Sequence, residues 1–73
     1  MAKPAFNDAV VACLDEMQMR IAEAARIARA AQDCEPAGSL SEAVTISMDI
    51  EQLIYEAGRL HDAASLLNRL SQD

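Results

Sequence analysis

The sequence predicts an all-α fold, an antiparallel helical hairpin of two long helices. Apolar residues recur with helical spacing along two segments, the composition favours helix, and a short turn-forming stretch separates the segments. Of the 73 residues, 52% are hydrophobic but only 3% are aromatic, whereas sheets favour aromatic and β-branched residues. The regular spacing of so many apolar residues also argues against disorder.

The first predicted helix runs from about residue 7 to about residue 34. Asn7 followed by Asp8 predicts its start, because Asn caps helix N-termini and an acid there complements the helix dipole. Pro36 predicts its end, because a proline keeps the preceding residue out of the α region. Apolar residues alternate at intervals of four and three, which predicts a coiled-coil seam. The predicted seam residues are Val10, Leu14, Met17, Ile21, Ala24, Ala28 and Ala31.

The second predicted helix runs from about residue 40 to about residue 70, and the whole chain 1–73 is predicted to be one domain. Gly38 in the linker suits a tight turn, and Ser39 followed by Glu42 is typical of a helix start. A linker of about five residues requires the helices to be antiparallel neighbours. The predicted seam residues are Ala43, Ile46, Ile50, Leu53, Ala57, Leu60, Ala64 and Leu67.

Pairing the seams outward from the turn sets small residues opposite large ones and predicts an ion pair between Arg20 and Glu56. A second apolar strip remains on one flank, and a chain this short buries only about 60% of its unfolded surface. We therefore expect the hairpin to pair into a four-helix bundle as a homodimer, with docking on a second protein as the alternative. The strip predicted to form the interface consists of Val11, Ala22, Ala25, Leu40, Met48, Ile54, Tyr55 and His61.

The sequence predicts no catalytic residue, metal ligand, cofactor or small-molecule substrate. His61 lacks the Glu-x-x-His spacing of a carboxylate-bridged metal site, because Gly58 and Ala64 stand three residues to either side of it. No phosphate-binding loop or nucleophile motif is present. Cys13 and Cys34 are too far apart in sequence for a C-x-x-C motif, so they are interpreted as packing residues.

The formal net charge of −6 argues against nucleic acid and against an anionic membrane surface as the main partner. The alternative, a small nucleic-acid-binding regulator, would use Arg20, Arg26 and Arg29 on the first helix. No uncharged stretch is long enough to cross a bilayer. The first eight residues lack the apolar core of a secretory signal, which predicts a cytoplasmic protein.

The predicted function is a small non-catalytic protein–protein interaction module that self-associates through the apolar strip. Such a module would act as an adaptor, an assembly factor or a regulatory subunit. A secretion-type chaperone that docks on a foreign helix would have the same sequence features, and it stays open beside the nucleic-acid alternative.

Overall fold

The computed structural model describes residues 4–36 and 38–72, which fold as an antiparallel helical hairpin. Helix α1 spans Pro4–Gln32 and helix α2 spans Leu40–Gln72. They pack side by side into a rod with extents of 57 × 13 × 11 Å. The predicted fold is confirmed, while the pairing of two hairpins into a four-helix bundle stays a prediction.

Helix α1 begins three residues earlier and ends two residues earlier than predicted. Pro4 opens it because a proline at the first helical position gives up no hydrogen bond and its fixed φ suits the helix. At the other end, the Asp33 amide donates to the Arg29 carbonyl at 2.9 Å, and the Cys34 amide donates to the Ala31 carbonyl at 3.1 Å. The spacing thus shortens from four residues to three, and this tighter turn ends the helix before Cys34.

The turn depends on Gly38, whose φ of +75° lies in the left-handed region that glycine adopts without a steric penalty. Its amide donates to the Glu35 carbonyl at 2.9 Å. Ser39 occupies the N-cap position of α2, and its carbonyl accepts the first helical bond, from the Ala43 amide, at 2.9 Å. Ala37, also predicted in this turn, lies outside the described residues.

The predicted seam of α2 faces α1 along its full length. Ala57 and Ala64 are buried, and the other predicted members are half-buried: Ala43, Ile46, Ile50, Leu53, Leu60 and Leu67. The seam continues to Ser71, which is fully buried and donates its hydroxyl to the Asn68 carbonyl at 3.1 Å. The pattern of α2 was therefore predicted correctly.

The predicted seam of α1 is correct at every second position and wrong at the positions between. Inner positions, half-buried or buried, are Val10, Met17, Ala24 and Ala31, whereas Leu14, Ile21 and Ala28 are exposed. The residues immediately before those three, namely Cys13, Arg20 and Ile27, are half-buried instead. The contacting face of α1 is thus turned by about 50°, half the rotation between successive helical residues.

Arg20 is one of the residues that this rotation brings to the inner side of α1. A charged residue was not expected in a seam, but the Arg20 Nε donates to Glu56 Oε1 at 3.2 Å and its Nη1 donates to Glu16 Oε1 at 3.3 Å. The aliphatic stem of an arginine can cover an apolar contact while the guanidinium reaches its edge. The predicted Arg20–Glu56 ion pair is confirmed, and α1 turns Leu14 and Ile21 away from α2.

The interior of the hairpin is made of small side chains. The buried residues among those described are Ala24, Ala57, Ala64 and Ser71. Hydrophobic stabilisation scales with the apolar area removed from water, so most of it comes from larger side chains that are only half-buried, such as Ile50, Leu53 and Leu60. Every large hydrophobic side chain in the described part of the chain keeps some exposure.

Candidate interaction face

The rotation of α1 gives the hairpin two sides of different chemistry, and the first is charged. It is lined by Met19, Arg20, Glu23, Arg26, Leu53 and Glu56. The Arg26 guanidinium pairs with the Glu23 carboxylate three residues earlier. The Gln52 Nε2 donates to Glu56 Oε2 at 2.9 Å, beside the bond from Arg20. The charges on this side therefore pair with one another.

The same contacts act on the ionisation of Glu56. The hydrogen bond from Gln52, followed by the bond and the positive charge of Arg20, lowers the pKa of the Glu56 carboxyl below its ordinary value of 4.5, although partial desolvation opposes them. Hydrogen bonds and a nearby cation favour the charged form of a carboxyl group. Glu56 is therefore ionised throughout the neutral range and keeps Arg20 at the edge of the helix contact.

The opposite side carries an apolar surface, which we call the open face. Its members are Val11, Leu14, Ile21, Ala25 and Ala28 from α1, and Leu40, Val44, Ser47, Ile54 and His61 from α2. Residues seven apart return to nearly the same side of a helix, which groups Leu14 with Ile21. These two are 44% and 43% exposed, and Ile54 is 52% exposed. Contiguous exposed apolar surface of this kind marks binding sites.

Toward the turn, the open face contains a groove of about 490 Å³. It is lined by Ala28, Ala31, Gln32, Glu35, Leu40, Ala43, Val44, Ser47 and Ile50. Its α1 wall is low because Ala28 and Ala31 have small side chains, while Leu40 and Val44 are larger. The Ser47 hydroxyl donates to the Val44 carbonyl at 2.7 Å, so its donor is satisfied within the helix. The groove is therefore shaped for an apolar side chain.

Charge is nearly absent from the open face. The sequence has twelve acidic and six basic residues. Among the described residues, the open face nevertheless includes only two carboxylates, that of Glu51, which follows Val44 by seven positions, and that of Glu35, which follows Ala28 by seven positions and lines the groove. Exclusion of charge is typical of the centre of a protein–protein interface.

Five residues of the predicted strip lie on the open face and are exposed: Val11, Ala25, Leu40, Ile54 and His61. Met48 and Tyr55 are exposed on the outer edge of α2, where the Arg59 guanidinium lies 5.8 Å from the centre of the Tyr55 ring. Ala22 is half-buried. The structure thus brings most of the strip together and leaves Met48 and Tyr55 at its margin.

Three large exposed hydrophobic residues of the open face were not predicted to form an interface from the sequence. Leu14 and Ile21 were assigned to the seam within the hairpin, and Val44 was assigned to neither surface. One signal could have identified Leu14 and Ile21. A helix in a bundle touches two neighbours and carries apolar residues at three positions in seven, so a seam of two positions in seven was too narrow.

The arginines proposed for nucleic acid do not form a cluster of unpaired cations. Arg20 bonds two glutamates and Arg26 bonds a third. Arg29 lies in the last turn of α1, where a cation complements the helix dipole. Carboxylates therefore compete with phosphate for two of the three predicted residues.

No group of His, Cys, Asp and Glu side chains in the described part of the chain is arranged to hold a metal ion. Cys13 and Cys34 are half-buried free thiols, and the Cys34 Sγ donates to the Ala30 carbonyl at 3.5 Å. Among the described helices, none combines the length and the apolar character needed to cross a membrane.

Fold and surface together define a two-helix hairpin that is charged on one side and apolar on the other. Comparison with protein-family models, curated proteins and solved structures gives no match. The function must therefore be inferred from the geometry and chemistry of the hairpin.

Proposed function

We propose that the chain is a small, non-catalytic protein–protein interaction module that self-associates through the open face into a four-helix bundle. One observation carries the proposal: the described hairpin buries three alanines and one serine, while Leu14, Ile21 and Ile54 stand about half exposed on one side. The second copy would supply the apolar contacts that the hairpin lacks.

Those exposed side chains would supply the free energy of association. Full burial of a leucine or isoleucine side chain is worth about 1.5–3 kcal/mol. A dimer would bury the remaining exposed area of Leu14, Ile21 and Ile54 on both copies at once. The total of several kcal/mol is comparable with the roughly 5–15 kcal/mol net stability of a small domain. Self-association would thus change a marginal hairpin into a stable bundle.

Area and charge both favour a second copy as the occupant. The hairpin is 57 Å long and 13 Å wide. This gives a footprint of about 700 Å² before side chains are counted, close to the roughly 800 Å² per partner of a standard interface. A chain with a net charge of −6 repels its own copies in general, but within the described residues the open face carries only two of the twelve acidic residues, Glu35 and Glu51. Two open faces can therefore meet without bringing rows of carboxylates together.

Such a dimer would leave the charged side outward on both copies, free to bind another protein as an adaptor, an assembly factor or a regulatory subunit. We place it in the cytoplasm, where the free thiols of Cys13 and Cys34 are kept reduced. The proposal assigns no chemistry to the groove, because apolar side chains form most of its lining.

The decisive experiment measures molecular mass by sedimentation equilibrium. We expect twice the 7.9 kDa chain mass for the unaltered protein. Ile54→Glu, which puts a charge on the open face, should give the monomer mass. The matched control is Leu66→Glu, which changes an exposed hydrophobic residue of the same helix on the side turned away from the open face, and it should stay dimeric.

A stable monomer of 7.9 kDa at all concentrations would contradict self-association. The open face would then belong to an obligate foreign partner, as in a secretion-type chaperone. The nucleic-acid alternative is not adopted, because Arg20 and Arg26 are already paired with glutamates. Salt-sensitive retention of RNA or DNA in a mobility-shift assay would reverse that judgement.

A further inference from the structure

Resting on the proposed self-association, we infer that the partner of the open face is a second copy in one particular orientation. The two hairpins pack antiparallel, related by a two-fold axis that crosses the face at Ile21 and Ile54. Leu14 and Val11 of each copy then enter the groove beside Ala28 of the other.

The relief of the open face is uneven along its length. Near the turn, α1 contributes the small residues Ala28 and Ala31, which leave the groove of about 490 Å³. Near the other end, the same side of α1 carries the large residues Leu14 and Val11, both exposed. The face thus has a depression at one end and a projection at the other. A second copy fits this face only when the two hairpins point in opposite directions, so that the projection of each enters the depression of the other.

A large and a small residue of α1 are evenly spaced about Ile21. Leu14 and Ala28 each lie seven residues from Ile21, in opposite directions along α1. An axis through Ile21 therefore sets Leu14 of one copy against Ala28 of its partner. Close packing requires large side chains to meet small ones, and this arrangement satisfies it twice, once at each end of the face.

Helix α2 obeys the same symmetry. Ser47 and His61 each lie seven residues from Ile54, so the small serine of one copy meets the larger histidine of the other. Glu51 lies three positions before Ile54 and Gly58 lies four positions after it, so the Glu51 carboxylate of one copy lies beside the exposed Gly58 of the other. The carboxylates of the two copies are thereby kept apart along the interface.

The other two-fold arrangement, with the axis parallel to the hairpin, fails on the same criteria. It would set Ala28 of one copy against Ser47 of the other, since α1 would face α2 at equal height. Both grooves would then meet at one end and enclose a void, and voids forfeit packing contacts. Leu14 would have no depression to fill.

Disulfide cross-linking tests the orientation. In a parent with Cys13→Ala and Cys34→Ala, single cysteines are introduced and oxidised with copper–phenanthroline. We expect Ile21→Cys to cross-link to itself, and a mixture of the Leu14→Cys and Ala28→Cys proteins to give the mixed dimer. Met19→Cys, on the charged side of the same helix, is the matched control and should not cross-link.

The outcomes separate this inference from the proposed function. A parent that sediments as a monomer refutes self-association, and the orientation with it. A dimeric parent in which Ile21→Cys cross-links to Ile54→Cys, but not to itself, preserves the module and overturns the antiparallel orientation. A dimeric parent in which none of these pairs cross-links also overturns the orientation, because the open face would then lie outside the interface.

A size exchange gives a second, independent test. Leu14→Ala should raise the dimer dissociation constant roughly tenfold or more by emptying the groove, and Ala28→Leu should raise it by filling the groove. The double exchange, Leu14→Ala with Ala28→Leu, reverses projection and depression and should restore much of the affinity. Additive losses in the double variant would contradict contact between these positions.

Discussion

The guanidinium of Arg20 lies at the edge of the contact between α1 and α2, where it bonds the carboxylates of Glu16 and Glu56. A partly exposed ion pair of this kind adds little to stability. Its larger effect is on geometry, because it holds α1 with Arg20 inward and Ile21 outward. Ile21, the next residue along the chain, is thereby left exposed for a partner.

The lowered pKa of Glu56 predicts a pH-dependent effect of Glu56→Gln. The folded chain holds the Glu56 proton less tightly than the unfolded chain does, so the contribution of Glu56 is present above pH 4.5 and is lost as the pH falls through its lowered pKa. We expect Glu56→Gln to lower Tm slightly at pH 7. The difference from the unaltered protein should shrink as the pH falls below 4.5, as thermal melts followed by circular dichroism would show.

Asp49→Asn is a suitable control for this prediction, because Asp49 is an exposed acid of the same helix. It should change Tm less at pH 7 than Glu56→Gln does. An equal difference between Glu56→Gln and the unaltered protein at pH 7 and pH 3 would contradict a role for the ionised carboxylate.

At the scale of the helices, the sequence was sufficient to predict the hairpin, the turn and the inner side of α2. Each depends on a local signal: Pro36 and Gly38 at the turn, and an unbroken apolar pattern in α2. The rotation of α1 could not be predicted in this way. Its sequence offers two overlapping seams, one through Leu14 and Ile21 and one through Cys13 and Arg20, and contacts across the helix pair decide between them.

The close approach of the helices predicts that Ala24→Leu is destabilising. Ala24 is buried against α2, and a larger side chain there forces the helices apart at a typical cost of about 1–3 kcal/mol. Urea unfolding followed by circular dichroism should show a lower midpoint. Ala12→Leu, on the exposed outer side of α1, adds the same atoms without crowding. Equal midpoints for the two variants would argue against close packing at Ala24.

At the scale of the whole molecule, two helices in contact along one line cannot enclose an interior. Each of α1 and α2 has a wide apolar side, and the contact between the two helices covers only part of it. The open face is what remains, and the sequence strip found part of it at Val11, Leu40 and Ile54. Leu14 and Ile21 were instead predicted to lie between α1 and α2, because the sequence of one chain does not show how many helices pack against each helix.

If folding and association are coupled, the melting temperature must depend on protein concentration. Mass action over a hundredfold range of concentration corresponds to about 2.7 kcal/mol, or a rise in Tm of roughly 5–10 °C for an assembly of this size. Thermal melts at several concentrations would measure it. Ile54→Glu should melt lower and at one temperature throughout, and a constant Tm for the unaltered protein would speak against a dimer.

The alanine interior of the hairpin has a consequence for the protein's lifetime in the cell. A lone copy, whose buried hydrophobic residues among those described are Ala24, Ala57 and Ala64, would open more readily than the proposed dimer, and proteases degrade chains in proportion to the time they spend open. Newly made chains would survive only where synthesis keeps them numerous enough to find one another. Below the concentration at which the chains dimerise, degradation would then be fast, and the protein would disappear quickly once its synthesis falls.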